Sequence, residues 1–152
     1  MGKSIRKAER LAQMSPDERE AFALANRGIR LGAEGRHAES VEQWALAAEI
    51  AARSLPEQPI RFWTDSGLAA ALCEVGRYRE SIVAAERARP FCLSLPRPAM
   101  LPTLSLARSW LALGDVALAG PYLQELRDMI GDDDLASCDP VLYAQLQAAP
   151  DA

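Results

Sequence analysis

A hexapeptide that begins with glycine occurs twice in this chain, and a weaker third copy follows. Residues 76–81 read Gly-Arg-Tyr-Arg-Glu-Ser, and residues 35–40 read Gly-Arg-His-Ala-Glu-Ser. Residues 114–119, Gly-Asp-Val-Ala-Leu-Ala, form the third copy. A period near forty residues, with a glycine turn between two apolar stretches, is typical of a solenoid built from helical hairpins. The spacing therefore predicts three helical hairpins, each of which turns at its glycine.

A second repeated element supports the same period. The tripeptide Ser-Leu-Pro occurs at 54–56 and again at 94–96, where the second helix of each hairpin should end. Proline interrupts the hydrogen-bonding pattern of a helix, so both copies mark helix ends. The predicted elements, in a single domain of residues 1–152, are an N-terminal helix at 3–13, hairpins at about 16–54, 60–94 and 98–130, and a C-terminal capping helix at 140–148.

Local signals set the expected helix ends. Ser15 and Pro16 form a strong helix start, because a serine side chain caps free amides and proline fits the first helical position. Pro90 predicts a kink or an early end in the second helix of hairpin two. The Gly-Pro pair at 120–121 predicts that the next second helix begins late or bends, and Gly131 predicts where that helix ends.

The C-terminal part carries an acidic run followed by a short helix signal. Residues 132–134, all aspartate, predict a polar link, because the alternating ligands of a calcium-binding loop are missing. Asp139 and Pro140 then open the last helix. Its Leu142 and Leu146 are expected to cover the exposed side of hairpin three, since the terminal repeats of a solenoid otherwise present an apolar side to water.

Composition narrows the class of function. The chain has 152 residues, 49% of them hydrophobic, which suffices to bury a core. A net charge of −4 argues against a nucleic-acid-binding domain, which usually carries a basic face. No apolar run approaches the length of a membrane span, and the N-terminus lacks the apolar segment of a secretory signal. We therefore expect a cytoplasmic protein, and the preference for arginine over lysine favours a bacterial source.

Metal, disulfide and catalytic chemistry are not expected. The three cysteines, Cys73, Cys92 and Cys138, are an odd number without a close pair, and His37 is the single histidine. They supply neither a zinc ligand set nor a disulfide framework, so we expect reduced thiols that are buried or half-buried. No histidine is paired with a nucleophile and no glycine-rich loop follows a strand. We predict that the protein is not an enzyme and uses no cofactor.

The positions around each glycine follow one pattern. Small residues stand seven before and five after it, and large ones four before it: Gly28, Ala69 and Ala107; Ser40, Ser81 and Ala119; Leu31, Leu72 and Trp110. This pattern resembles the tetratricopeptide repeat over residues 16–130, with Tyr78 at the family's aromatic position. The periods are longer than the family's usual length of about 34 residues, which indicates a long-period variant. His37 and Val116 depart from the aromatic position, and Arg27 departs from an apolar one.

The resemblance implies an all-α fold, a right-handed superhelical solenoid of three hairpins with N- and C-terminal helices. In this family the first helices line a concave face that binds other proteins. The residues of this chain at those positions, the candidate partner-binding residues, are Phe22, Ile29, Trp63, Ser66, Ala70, Leu101, Leu104, Arg108 and Leu111. Alternatively, Trp63 and Leu104 are buried against neighbouring helices or the chain's own C-terminal segment. Trp44, on a second helix, is predicted to be core.

The implied face is an apolar groove with one positive charge, Arg108. It suits an apolar helical or extended segment of a partner protein. We therefore predict a non-enzymatic protein–protein interaction module, an adaptor or scaffold. Two alternatives remain open: a dedicated single-client bacterial protein, such as a secretion chaperone or a toxin-neutralising immunity protein, and a structural homodimer with a self-complementary apolar face.

Overall fold

Helices make up nearly all of the described chain. The computed structural model describes residues 2–148, apart from the side chains at positions 3, 11, 138 and 146. The helices are α1 (Gly2–Gln13), α2 (Pro16–Ala33), α3 (His37–Ser54), α4 (Pro59–Glu74), α5 (Tyr78–Ser94), α6 (Leu101–Ala112), α7 (Val116–Cys138) and α8 (Pro140–Ala148). No strand occurs between residues 2 and 148. The all-α prediction is confirmed.

The three repeated glycines form three copies of one turn. Gly35, Gly76 and Gly114 have φ angles of 78°, 78° and 80°, a left-handed conformation that glycine adopts without steric cost. At Gly76 the amide donates to the carbonyl three residues back, at 3.1 Å, and the next amide donates to the carbonyl five residues back, at 3.0 Å. The same two bonds form at the other two glycines. Each first helix therefore ends in a Schellman motif, which reverses the chain into the second helix.

The small residues flanking each turn bring the two helices of a hairpin together. The Ser40 hydroxyl donates to the Gly28 carbonyl at 2.7 Å, and the Ser81 hydroxyl donates to the Ala69 carbonyl at the same distance. Both bonds are buried, and each joins residues that are twelve positions apart and lie on the two helices of one hairpin. Ala119, at the equivalent position of the third hairpin, is also fully buried. The residues that recur in the sequence therefore make equivalent contacts in hairpins one and two, and the equivalent residue of hairpin three is buried.

The helices pack in chain order. Extensive contacts join α2 with α3, α4 with α5 and α6 with α7, the three hairpins. Further contacts join α3 with α4 and α5 with α6, which link one hairpin to the next. The first helices also touch, α2 with α4 and α4 with α6, and α7 contacts α8. The three first helices consequently lie in a row.

Trp44 of α3 fills the space between α2 and α4, the first helices of hairpins one and two. It is buried, and a methyl group added at Gly67 would lie 2.3 Å from its ring, with the corresponding distance at Gly28 being 2.8 Å. Real carbon atoms do not approach so closely, so both glycines are needed for the indole to fit. The prediction that Trp44 belongs to the core is confirmed.

The structure removes one of the two alternatives predicted at each of two prolines. At Pro90 a kink or an early end was predicted, and the early end does not occur, because helix α5 continues through Pro90 to Ser94. The turn after Pro90 is held by packing, because Phe91 stacks on Phe62 of α4 with ring centroids 4.6 Å apart. Helix α7 starts at Val116, so of the two alternatives predicted for residues 120–121 the late start does not occur. The side chain of the preceding aspartate accepts from the Leu118 amide at 2.9 Å and caps the helix upstream of the proline.

The acidic run is helical, so the predicted polar link at 132–134 is also wrong. Gly131, with φ 77° and ψ 165°, breaks α7, and a new helical segment follows directly. Aspartates at the start of a helix interact favourably with its dipole, which explains why three of them begin this segment. Arg127 also donates to Asp132 at 2.8 and 3.1 Å across the break. The segment then places Leu135 in the core.

The C-terminal helix α8 closes the end of the third hairpin. Leu142 is buried in a cluster with Leu104 of α6 and Leu135 of α7. The prediction for Leu146 lies outside the described side chains. Asp139 precedes α8 and accepts from the Leu142 amide at 2.9 Å, so its carboxylate caps the helix. Among the described residues, no helix is both long and apolar enough to cross a membrane.

Candidate partner-binding face

A cavity of about 310 Å³ opens across the row of first helices. Its lining comes from all three of them and from α3 beneath: Gly28, Ile29 and Gly32; Gly67, Ala70, Ala71 and Glu74; Leu101; His37, Ser40 and Trp44. We call this surface the groove. It brings together three of the predicted residues, Ile29, Ala70 and Leu101. Ile29 is 50% exposed and Leu101 is 39% exposed, so two large apolar side chains reach solvent here.

Two aromatic residues extend the apolar surface beyond the groove. Phe22 of α2 stacks on Trp63 of α4 with ring centroids 5.5 Å apart, and Trp63 meets the edge of Trp44 at the same distance. Trp63 is 36% exposed, and Phe22 is half-buried. Trp63 is therefore neither pure groove nor pure core: part of its ring contacts neighbouring helices and part faces solvent. Trp44 also lines the groove, so Trp63 adjoins the groove through its contact with Trp44.

Two predicted partner-binding residues are inaccessible. Ser66 is buried in α4, and Leu104 is only 7% exposed within the cluster formed with Leu135 and Leu142. Leu104 is therefore core, as the alternative involving the C-terminal segment anticipated. A partner cannot contact either side chain without opening the fold, so neither belongs to the accessible face.

The predicted positive charge of the groove is already paired. The Arg108 guanidinium donates from Nε to Asp139 Oδ2 at 2.6 Å, and its Nη1 lies 3.9 Å from the Glu74 carboxylate. Asp139 is buried, and Arg108 is partly covered. The isolated cation expected at this position is thus neutralised by the residue that caps α8. A second cavity of about 360 Å³ adjoins this ion pair and includes half-buried Leu111, the last predicted residue.

Glu74 is the charged residue that sequence reasoning missed. Its side chain is 53% exposed and lines both cavities, so it stands where the groove meets the second cavity. It follows Gly67 by seven positions and Ala70 by four, which is the helical spacing of one face. The spacing could have predicted Glu74 from the sequence, but the resemblance implies only the family's positions, and Glu74 is not one of them.

The described cysteines carry no sign of a reactive site. Cys73 is half-buried and Cys92 is buried, and both are free thiols, whereas the Cys138 side chain lies outside the described ones. Burial is the main cause that raises the pKa of both thiols above the ordinary value. A raised pKa leaves less thiolate, the nucleophilic form. Among the described side chains, no three His, Cys, Asp or Glu residues are grouped so that they could hold a metal ion.

Comparison with protein-family models, with curated proteins and with solved structures finds no match to this chain. The resemblance to the tetratricopeptide repeat therefore rests on the residue pattern around the three glycines. Its structural counterpart is the repeated turn, in which the same two hydrogen bonds form at each glycine.

Proposed function

We propose that the chain is a tetratricopeptide-like, right-handed superhelical solenoid of three hairpins with N- and C-terminal helices. Three observations support this architecture: identical turns at Gly35, Gly76 and Gly114, equivalent hydroxyl–carbonyl bonds in two hairpins, and contacts between successive first helices. Stacked hairpins of this kind bury a continuous core between neighbours and leave one side of the first helices open.

We further propose that the protein is a non-enzymatic module that holds an apolar helical or extended segment of a partner protein in the groove. The observation that carries the proposal is the exposure of Ile29 and Leu101 at the groove, with the partly exposed Trp63 beside it in contact with Trp44, one residue from each first helix. Large apolar side chains that cluster on a surface mark interaction sites, whereas single ones are ordinary. Amphipathic segments bind such grooves through two or three apolar anchors.

The expected contribution of each anchor is modest. Full burial of a large apolar side chain contributes roughly 1.5–3 kcal/mol, and these three are already half covered, so each adds about 1 kcal/mol on binding. Loss of one anchor should weaken binding about fivefold, since 1.4 kcal/mol corresponds to a factor of ten. A variant that disrupts two anchors is therefore needed for a clear result.

Recovery of partners from the native host tests this function. Tagged wild type is compared with a groove variant, Ile29→Asp with Leu101→Asp, and with a control variant, Val83→Asp with Leu118→Asp. The control changes two similarly exposed apolar residues on second helices, outside the groove. We expect quantitative mass spectrometry to recover the same partners with wild type and control and to lose them with the groove variant.

Circular dichroism establishes that the three proteins are equally helical before the comparison is made. Equal recovery of every partner by the groove variant and by wild type would contradict the proposal. One dominant partner would identify a dedicated client, and several partners would identify an adaptor.

A further inference from the structure

Helix α1 stands apart from the rest of the fold. Every described residue of α1 is exposed, and the extensive helix contacts all lie among α2 to α8. Its twelve residues are about the shortest length at which an isolated helix persists in water. An outside surface that covers one of its sides would stabilise it, so the polarity of α1 indicates what that surface is.

The polarity of α1 is sharply divided. At 3.6 residues per turn, Arg6, Lys7 and Arg10 fall within about 100° of one another, and Ile5 and Ala12 fall on another side of the helix. Ile5 is 54% exposed. Four of the 17 basic and one of the 21 acidic residues lie in α1, which leaves 13 basic and 20 acidic residues on the rest of the chain. A cationic arm is therefore attached to an anionic body.

This charge division favours a protein surface over a lipid surface. An anionic membrane or a nucleic acid would attract α1 but repel the body, whose acidic residues exceed its basic ones by seven. Stable membrane attachment also needs more apolar area than one isoleucine, one leucine and two alanines provide. The body of another copy of this chain, in contrast, has the opposite charge.

The groove has the features that α1 requires. Its floor is apolar, with Ile29, Ala70 and Leu101 accessible. The 53% exposed carboxylate of Glu74 stands on its lining, 3.9 Å from an Arg108 guanidinium that is paired with the α8 cap. A helix that places Ile5 on this floor carries Arg6 about 100° to one side, toward the rim of the groove. The combination of one apolar anchor and one flanking cation matches the combination of an apolar floor and a rim carboxylate.

The arm cannot reach the groove of its own molecule. Only residues 14 and 15 separate α1 from α2. A helix rises about 1.5 Å per residue. If α1 folded back along α2, Ile5 would therefore lie about 12 Å from the link between the helices, whereas Ile29 lies about 21 Å from Ser15 along α2. The two linking residues are needed to cross the 8–10 Å between packed helices and cannot supply the remaining distance.

We propose that α1 of one molecule docks in the groove of a second copy, with Ile5 on the apolar floor and Arg6 beside Glu74. A reciprocal exchange of arms closes a two-fold dimer and leaves no free groove. The inference rests on the groove being the binding surface proposed above. It adds that the segment recognised is a cationic amphipathic helix, and that α1 competes with any foreign segment.

Charge exchange between the arm and the groove tests this dimer. Sedimentation velocity across a concentration series compares wild type with Arg6→Glu, with Glu74→Arg and with the double variant, all at low salt. Arg53→Glu, an exposed reversal at the end of α3, is the matched control. We expect wild type to approach twice its 16.5 kDa mass. Each single variant should raise the dimer dissociation constant about tenfold, because two exposed ion pairs become repulsive.

The double variant should recover dimerisation to within about threefold of wild type, and the control should match wild type. Raising the salt should weaken the wild-type dimer, since exposed charges are screened. A wild type that stays monomeric at every concentration would overturn the inference. So would a control variant whose dimer is weakened as much as that of the single variants, or a double variant that stays monomeric. A monomeric wild type would leave the groove function itself standing, because the partner-recovery experiment measures it separately.

Discussion

At the scale of single residues, the packing of Trp44 between α2 and α4 depends on two glycines that lie within helices and not in turns. Gly28 and Gly67 lie within helices, and each lets the Trp44 ring approach the backbone. Glycine within a helix costs roughly 0.5–1 kcal/mol relative to alanine, so its presence at both sites is explained by the packing that it permits. The indole in turn supports Trp63 and forms part of the groove.

Substituting one of these glycines should therefore reverse the usual effect of helix propensity. Gly67→Ala is expected to destabilise the protein by about 1–3 kcal/mol, because its methyl group would lie 2.3 Å from the Trp44 ring. Gly32→Ala is the matched control, since a methyl group added at that helical glycine would meet the Ser40 hydroxyl at 3.5 Å, an ordinary contact distance. It should stabilise by about 0.5–1 kcal/mol. Urea midpoints measure both, and a neutral or stabilising Gly67→Ala would contradict this packing.

A paired arginine and glutamate begin the second helix of two hairpins. Arg77 donates to both carboxylate oxygens of Glu80 at 2.6 and 2.7 Å, and this bond is the main cause that holds the pKa of Glu80 below its ordinary value. A lowered pKa contributes stability above the unfolded-state pKa and loses it as the pH falls through the folded-state pKa. We expect Arg77→Gln to raise the Glu80 pKa toward the ordinary value in an NMR titration. No change on substitution would exclude the pairing.

At the scale of helices, α8 is held by one carboxylate with two functions. Asp139 caps α8 through the Leu142 amide and also pairs with Arg108 of α6. The same residue therefore starts the last helix and fixes its position beside the second cavity. This arrangement also determines the charge of the candidate face, because it neutralises Arg108.

Replacing Asp139 separates the two functions. Asp139→Ala removes both cap and ion pair, so we expect a loss of about 1–3 kcal/mol in the local stability of α8. Asp139→Asn keeps an oxygen for the cap and should lose less. Hydrogen exchange by mass spectrometry should show faster exchange in α8 with little change in α2 to α5. Exposed Asp133→Ala is the control, and equal exchange in all three variants would contradict the role of Asp139.

The sequence was informative about helices where the determining residues are neighbours in the chain. Each hairpin turn could be predicted because the glycine and both hydrogen bonds of the turn lie within six residues. The continuation of α5 past Pro90 and the pairing of Arg108 could not be predicted in the same way. The helix continues past Pro90 because Phe91 packs on Phe62, and Arg108 is paired with a residue 31 positions later. Contacts between distant positions leave no local signal.

At the scale of the whole molecule, the candidate face exists only because three first helices lie side by side. Ile29, Trp63 and Leu101 belong to three different helices, so the periodicity of one helix does not group them, and only the resemblance to a repeat family predicted them together. Their exposure follows from the row, and the burial of Leu104 follows from α8. A groove formed in this way is lost if the hairpins assemble in any other order.

The row of first helices can be tested by nuclear Overhauser effects between side chains. The structure predicts contacts between the rings of Phe22 and Trp63, which join α2 to α4, and between Cys73 and Ser109, whose side-chain atoms lie 3.8 Å apart and join α4 to α6. The predicted result is that both sets of nuclear Overhauser effects are observed. Absence of both, with extensive contacts between α2 and α6 as in a closed bundle, would contradict the account.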